Sequence, residues 1–344
     1  MNLSVGVAIA REIPLDFRRE TGGAIAVATK RVSEDGDGCG VRRRRASLRM
    51  VDRQLAKGNF KLALSLVKQL QRLPPPAGLR GFAAARQVPR RVLSVEELDF
   101  SVTEKSALQS LHDSILDSIK ISLQSSPLDE ISVTCKDNDL NLEDDIIQHK
   151  QVVQHEAGHF LVGYVLGVLP KTYKFSIMED VKQDKVVDAS VKFVGFEFLR
   201  ELEDELPSKK TLHDVKPSHR DNKRKLSSTI GLAVLDTTRD TIPNKWVLSK
   251  FLCVIVGGLV AEYLTYGYSK GHHGDVEKLG MVLKWLQFTE DEADALIRWS
   301  VLNTLVILHH HSEARLALVE AMTRGRSIGN CIDVIETTLN YQDV

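Results

Sequence analysis

The chain has 344 residues, 43% of them hydrophobic, which is enough for two domains or for one domain with a long extension. The 46 Lys/Arg balance the 46 Asp/Glu, so the formal net charge is zero and no general attraction to nucleic acid is expected. The charge is nevertheless divided. Residues 41–91 carry 14 Lys/Arg against one acid, a net charge of +13, and residues 92–150 carry 4 Lys against 13 acids, a net charge of −9. Neighbouring blocks of opposite sign can attract each other or serve separate partners.

Residues 1–46 show no clear hydrophobic periodicity and contain the run Arg42–Arg45. Arginine-rich composition is typical of a cleaved organelle transit segment, whereas the several acids and the scarcity of serine favour a disordered tail. The arginine run is also compatible with a nuclear signal or an anion-binding patch. The cysteines form no C-x-x-C pair, which favours a reducing compartment. They are Cys39, Cys135, Cys253 and Cys331.

A helical N-terminal region is predicted from residue 47 to residue 149. Apolar stripes at helical spacing predict two short helices within residues 47–73, which end at Pro74 and have a basic outer face. That face is a candidate for docking on a partner or on an anionic membrane surface; the alternative is an ordinary solvated face. Further along, the pattern predicts a linker over 77–101, a helix over 107–123 and a candidate strand over 131–142.

The apolar stretch Val152–Leu169 is predicted to be helical and contains His155-Glu156-Ala157-Gly158-His159, which reads H-E-x-x-H. On a helix, residues four apart share a face, so the two imidazoles can bind one metal ion and the glutamate can reach a water on that metal. Three fixed residues arise by chance in about one chain in a hundred of this length. Context strengthens the pattern, because histidines and a glutamate are costly in an apolar helix unless they are paired or metal-bound. Glycines at 158 and 163 each lower helix propensity by about 1 kcal/mol, which indicates close packing or a ligand.

Pro170 ends that helix. Stretches rich in Val, Phe and Tyr predict two strands or a hairpin. The longest apolar stretch, Trp246–Tyr268, is interrupted by Lys250 and Glu262, which favours a buried helix over a membrane span. The predicted elements are strands over 172–177 and 186–198, a charged surface insertion over about 200–225, helices over 226–235 and 244–266, and a helical run from Asp275 to about Tyr341.

A catalytic zinc ion needs three protein ligands and one open position, so a third ligand must come from elsewhere in the chain. The segment Gly257-Gly258-Leu259-Val260-Ala261-Glu262 and the later Gly-containing loop before Asp275 are informative here. Together with H-E-A-G-H they resemble the FtsH family of membrane-bound, ATP-dependent zinc proteases, which has these motifs in this order. The resemblance covers about residue 150 to the C-terminus. It implies a mainly α (α+β), zincin-like peptidase domain over 150–344 with a small β-hairpin or sheet, preceded by a helical N-terminal extension.

The resemblance also implies residue roles. His155, His159 and Asp275 are the expected zinc ligands, and Glu156 is the expected general base. Glu262 is expected either to orient a ligand histidine or to be only a salt-bridge partner on its helix. His273, with His272 beside it, is the rival third ligand because it lies close to Asp275. The cluster His309–His311 is predicted to consist of surface or packing residues.

The chain contains no G-x-x-x-x-G-K-[ST] phosphate loop and no evident counterpart of the family's membrane anchors. It therefore resembles the FtsH-like proteins of plant plastids that keep a peptidase domain without the ATPase, which implies a chloroplast address, with the thylakoid as a candidate location. The implied function is a zinc metalloendopeptidase that hydrolyses unfolded or partner-delivered polypeptides in protein quality control, with an FtsH-type or other ATPase as a candidate partner. The alternative is a non-catalytic pseudo-protease that serves as a binding or assembly partner of an FtsH-type complex.

Overall fold

A computed structural model describes residues 34–124, 142–179, 185–196, 245–270 and 273–339. Within these ranges the chain is mainly helical and has one two-stranded antiparallel sheet, which confirms the predicted class. The elements in chain order are α1 (Glu34–Ala56), α2 (Phe60–Gln71), a 3-10 turn (Val95–Glu97), α3 (Val102–Gln124), α4 (Leu142–Val165), β1 (Pro170–Glu179), β2 (Lys185–Phe193), α5 (Lys245–Ile255), α6 (Gly257–Tyr266), α7 (His273–Trp285), α8 (Glu290–His310), α9 (Ser312–Thr323) and α10 (Ile328–Thr338).

Helix α1 begins at Glu34, so the predicted disordered or transit segment 1–46 extends too far along the chain; residues 1–33 lie outside the described residues. The apolar stripe of α1 starts only near Leu48, and the residues just before it are fixed to the fold by ion pairs. Arg44 is 3% exposed, and its Nε donates to Asp333 of α10 at 2.7 Å. Arg45 donates to the other oxygen of the same carboxylate at 2.7 Å. Two arginines of the basic run are therefore used inside the fold.

The N-terminal helices do not form a core of their own. Helix α1 packs against α2 and α10, and buried side chains from α1 through α10 belong to one continuous hydrophobic core. The predicted boundary at residue 150 falls inside α4. The predicted linker 77–101 also packs on the fold, because the Val88 N–H donates to Asn303 of α8 at 2.7 Å and the Trp299 indole donates to the Val88 carbonyl at 2.8 Å.

Helix α4 lies at the centre of the molecule and packs against α5, α6, α8, α9 and the hairpin. Its neighbour α6 crosses it closely, since a Cβ at Gly158 would collide with the Gly257 carbonyl oxygen. A Cβ at Gly163 would collide with the Phe193 ring of β2. These contacts explain why α4 tolerates two glycines despite their low helix propensity.

The hairpin follows α4 as predicted, with Tyr173 of β1 opposite Val191 of β2 and Phe175 opposite Ala189. The predicted single helix over 244–266 is instead two helices, α5 and α6, interrupted at Val256. Across that interruption, Trp246–Tyr266 has the length and apolarity of a membrane span, but 83% of its most apolar 18-residue window is buried inside the structure, as expected for a core helix. Three predicted elements lie outside the described residues: the strand over 131–142, of which only residue 142 is described, the insertion over about 200–225, and the helix over 226–235.

Candidate metal centre

Helices α4 and α7 bring three potential ligands to one point. His155 and His159 lie one turn apart on α4, with ring centroids 4.7 Å apart, and Asp275 lies in the first turn of α7. The Nε2 atoms of both histidines are 2.9 Å from Oδ2 of Asp275 and 3.0 Å from each other. The predicted convergence of the three side chains is thus confirmed, and the group could hold a metal ion.

Hydrogen-bond chemistry determines which atoms face this point. Nδ1 of His159 is 2.7 Å from the carbonyl oxygen of Val254, and Nδ1 of His155 is 2.7 Å from Oε1 of Glu262. Both oxygens accept, so both Nδ1 atoms carry hydrogen, and in a neutral imidazole the Nε2 atom then has a lone pair. Two imidazole lone pairs and the Asp275 carboxylate therefore face one another at about 3 Å. Such an arrangement is unfavourable unless protons or a cation lie between them.

The pKa values show how strongly this point favours positive charge. Burial alone would lower the pKa of His155, but the carboxylates of Asp275 and Glu262 outweigh burial and raise it to about 10. Burial alone would raise the pKa of Asp275, but the two imidazoles hold it well below its usual range. A proton and a metal ion compete for the same lone pairs, so a site that holds protons this tightly is also suited to a metal cation.

Glu262 of α6 supports His155 from behind. Its carboxylate is 1% exposed; Oε2 accepts from the Gln151 amide at 3.1 Å and from the Lys270 N–H at 2.8 Å, which leaves Oε1 directed at His155. Burial by itself raises the pKa of Glu262, but its contact with His155 reverses the shift and lowers it. Of the two predicted roles, orientation of a ligand histidine fits this geometry, because the partner of Glu262 is His155.

Local sequence explains how the histidines reach their positions. Helix α5 ends at Ile255, so the last-turn carbonyl of Val254 has no partner within α5 and accepts from His159 instead. Gly258, at the start of α6, lies under the His155 ring, and a Cβ there would collide with Nε2. The paired glycines at 257 and 258 therefore let α6 approach both the α4 backbone and the first histidine.

Glu156 points to the cavity beside this point. It is 5% exposed, and its Oε2 accepts a hydrogen bond from the Val191 N–H of β2 at 2.7 Å. A cavity of about 90 Å³ adjoins Glu156, His159 and Asp275. Its remaining wall is largely apolar and is formed by Val191, Phe193, Phe196, Phe251, Val254 and Ile255. The carboxylate therefore lies where it could act on a molecule held between His159, Asp275 and this wall.

Some contributors to the site were not predicted. Gln151 lies one turn before His155 on the same helix face, so its spacing was a usable signal. Lys278 lies three residues after Asp275 and places its ammonium 3.4 Å from Oδ1, which helical spacing also allows. The Val254 carbonyl had no sequence signal, because it depends on where α5 ends.

The other histidines do not join the group within the described part of the chain. His272 and the side chain of the rival ligand His273 lie outside the described residues, and the described group contains Asp275. His309 and His310 pack against Phe100, with ring centroids 5.7 and 5.4 Å away, and His311 is buried. This is the predicted surface or packing role. Cys39, Cys253 and Cys331 are free thiols, and Cys135 lies outside the described residues.

Comparison with known proteins gave no match, whether to protein-family models, to curated proteins or to solved structures. Any functional conclusion therefore depends on the residues and their geometry.

Proposed function

We propose that this protein is a zinc metalloendopeptidase of FtsH-like type, with a zincin-like peptidase arrangement and without an ATPase within these 344 residues. The observation that carries the proposal is the pair of imidazole lone pairs and the carboxylate that meet at about 3 Å beside an acidic side chain and a cavity. Zinc binds histidine nitrogen and carboxylate oxygen at about 2.0–2.2 Å, and atoms this close together can share one such ion.

In this proposal His155, His159 and Asp275 would hold the zinc. A bound zinc ion supplies Lewis acidity there and lowers the pKa of a water molecule to about 7. Glu156, adjoining the same cavity, would be the general base that takes a proton from the attacking water and passes it to the leaving amine. The Val191 N–H orients the Glu156 carboxylate, and the apolar wall excludes bulk water around the scissile bond.

Substrate and setting belong to the same proposal. The sequence contains no phosphate loop, so the substrates are unfolded segments, small proteins or clients delivered by an ATPase partner of FtsH type or another class. The proposed location is the plastid, where such proteolysis serves quality control. Peripheral contact with the thylakoid through the basic exposed face of α2 is part of this proposal.

The direct test uses the whole purified protein loaded with zinc and assayed for cleavage of unfolded casein. Glu156→Gln keeps an oxygen that can accept from Val191 but loses the base, so cleavage should fall by about 10²–10⁴-fold while one zinc per chain remains bound. Glu320→Gln makes the same chemical change on the exposed face of α9 and should leave the rate unchanged.

The same assay separates the two classes of function. A zinc-loaded protein that cleaves no unfolded substrate, or a Glu156→Gln variant as active as wild type, contradicts the peptidase proposal. The first of these results, with polypeptide binding retained, is the result expected of the non-catalytic binding or assembly partner.

A further inference from the structure

A second and larger cavity lies on the other side of the hairpin. It has a volume of about 630 Å³, within the usual range of ligand sites, and it is open to solvent. We call it the β1 groove. Its wall is formed by side chains from α4, β1 and the turn between α9 and α10, chiefly His149, Tyr173, Lys174, Phe175, Arg326 and Ile328. None of these residues belongs to the metal centre.

The main chain of β1 is available for pairing along this groove. The Val191 N–H donates to Glu156, so it does not pair with Tyr173, which lies opposite. Residues in an antiparallel pair alternate between hydrogen-bonded and non-hydrogen-bonded positions. Tyr173, and Phe175 two residues later, therefore direct their N–H and C=O groups away from β2 and towards the groove. Among the described residues, β1 pairs with no strand other than β2.

The two faces of β1 differ along this edge. Tyr173 and Phe175 point inward: their ring centroids are 5.5 Å apart, His149 packs edge-on against Phe175 at 6.2 Å, and the Tyr173 hydroxyl donates to the Arg326 carbonyl. Lys174 lies between them in sequence, so it points to the opposite, exposed face. Beside this edge the inner face is aromatic and the outer face is cationic.

The described residues that line the groove carry charge of one sign. Lys174 and Arg326 are exposed cations, and no carboxylate is among the described residues that line it. The nearby carboxylate of Asp52 is already engaged, since it accepts from the Ser327 hydroxyl and the Gly329 N–H at 2.7 Å each. The groove therefore fits an anionic ligand with apolar side chains better than a neutral or cationic one.

We propose that the β1 groove binds an extended acidic segment of another polypeptide, which adds a third strand to β1. Successive residues of an added strand alternate between the faces of the sheet. Acidic side chains would lie on the outer face beside Lys174, and the intervening apolar side chains would lie beside Tyr173, Phe175 and Ile328. Arg326 adds to the positive charge of the groove. The ligand class is thus a strand that alternates acidic and apolar residues, bound apart from the proposed peptidase centre and independent of its chemistry.

The test measures binding of fluorescein-labelled Glu-Val-Glu-Val-Glu-Val-Glu to the full chain by fluorescence anisotropy. We expect saturable binding that weakens as salt is raised, and at least tenfold weaker binding of the Lys-Val-Lys-Val-Lys-Val-Lys peptide. Methylation of alternate peptide nitrogens on the edge that would pair with β1 should also weaken binding at least tenfold, because main-chain pairing is lost.

Matched variants locate the site. Lys174→Glu with Arg326→Glu should weaken binding of the acidic peptide at least tenfold. Lys120→Glu with Lys284→Glu makes the same change in net charge on α3 and on α7, away from the groove, and should alter the affinity less than threefold. Thermal unfolding of each variant checks the fold; if the first pair unfolds, Arg326→Gln alone should still weaken binding severalfold.

Three results would overturn the inference: no saturable binding, equal loss of affinity in both variant pairs, or loss of binding in Asp275→Ala, which would place the peptide in the metal cavity instead. Retained binding in Asp275→Ala and Glu156→Gln supports the groove even if the protein proves not to be a peptidase.

Discussion

Two buried polar clusters of this protein look alike by burial and differ in chemistry. One is the candidate metal centre. The other, which we call the α10 clamp, consists of Asp333 and Glu336 with their donors. In the clamp every carboxylate oxygen meets hydrogen atoms: Asp333 accepts from Arg44 and Arg45, and Glu336 accepts from the Tyr164 hydroxyl and the Arg80 and Gly81 N–H groups.

In the metal centre the buried groups meet other acceptors. The Nδ1 hydrogens of both histidines are directed to oxygens behind them, so the Nε2 atoms and the Asp275 carboxylate face one another. Burial of charge therefore does not by itself mark a functional site. A cluster whose carboxylate oxygens all meet donors holds the fold together, whereas acceptors that face one another are completed by protons or by a cation.

The largest effect is expected in the clamp. Asp333→Ala leaves Arg44 buried without its carboxylate, and loss of one partner of a buried pair costs about 3–5 kcal/mol. Urea denaturation should show this decrease in the free energy of unfolding, with zinc binding intact. Glu320→Ala breaks an exposed pair with Arg324 and should cost about 1 kcal/mol or less. If the two substitutions lower the free energy of unfolding equally, the buried clamp contributes no more to stability than an exposed ion pair.

The thermal stability of the protein should depend on whether zinc is bound at the candidate metal centre. Free zinc at about 1,000 times its dissociation constant would stabilise the protein by about 4 kcal/mol, and a chelator should reverse this. Thermal unfolding with and without chelator measures the difference. Asp275→Ala should abolish the response, whereas Asp333→Ala should retain it. A wild-type melting temperature that is insensitive to zinc and chelator would contradict the metal site.

A smaller effect is expected at Glu262, which supports the proposed ligand His155. Glu262→Gln keeps an oxygen for His155 but removes the negative charge, and loss of such support lowers metal affinity by about 10–100-fold. Competition against a chromophoric chelator measures the affinity. Glu313→Gln, on the exposed side of α9, is the control and should leave it unchanged. If both variants bind zinc like wild type, Glu262 is only a structural residue.

The smallest effect concerns a buried charge outside both clusters. Lys250 is 6% exposed, its ammonium lies 3.4 Å from the Trp246 ring centroid, and burial together with Lys68 lowers its pKa to about 8. The unfolded pKa is about 10.4, so between these values the unfolded state binds more protons and wild-type stability rises with pH. Lys250→Met should flatten that rise and stabilise the protein at pH 7 by about 1 kcal/mol.

Denaturation curves from pH 7 to pH 10.5 check this, with the exposed Lys61→Met as control. An unchanged slope in Lys250→Met would show that Lys250 titrates normally.

Several features followed from local pattern. The helix that carries His155 and His159 was predictable because four-residue spacing puts two side chains on one face, and the hairpin was predictable from its Val- and Phe-rich runs after Pro170. Other features were not. The start of α1 depends on the pairing of Arg44 and Arg45 with Asp333, far away in sequence, and the interruption at Val256 that frees the Val254 carbonyl has no glycine or proline at that residue.

The sequence by itself determined the chemistry available to this protein: two histidines one helical turn apart, a glutamate beside the first, an aspartate at the start of a later helix, and glycines that permit close approach. Tertiary structure decided how that chemistry is arranged. Only packing of α4 against α5, α6 and α7 turns both imidazoles towards Asp275, because the carbonyl of Val254 and the carboxylate of Glu262 take the opposite nitrogens. Hydrogen-bond partners distant in the chain, rather than the motif itself, make the three side chains one site.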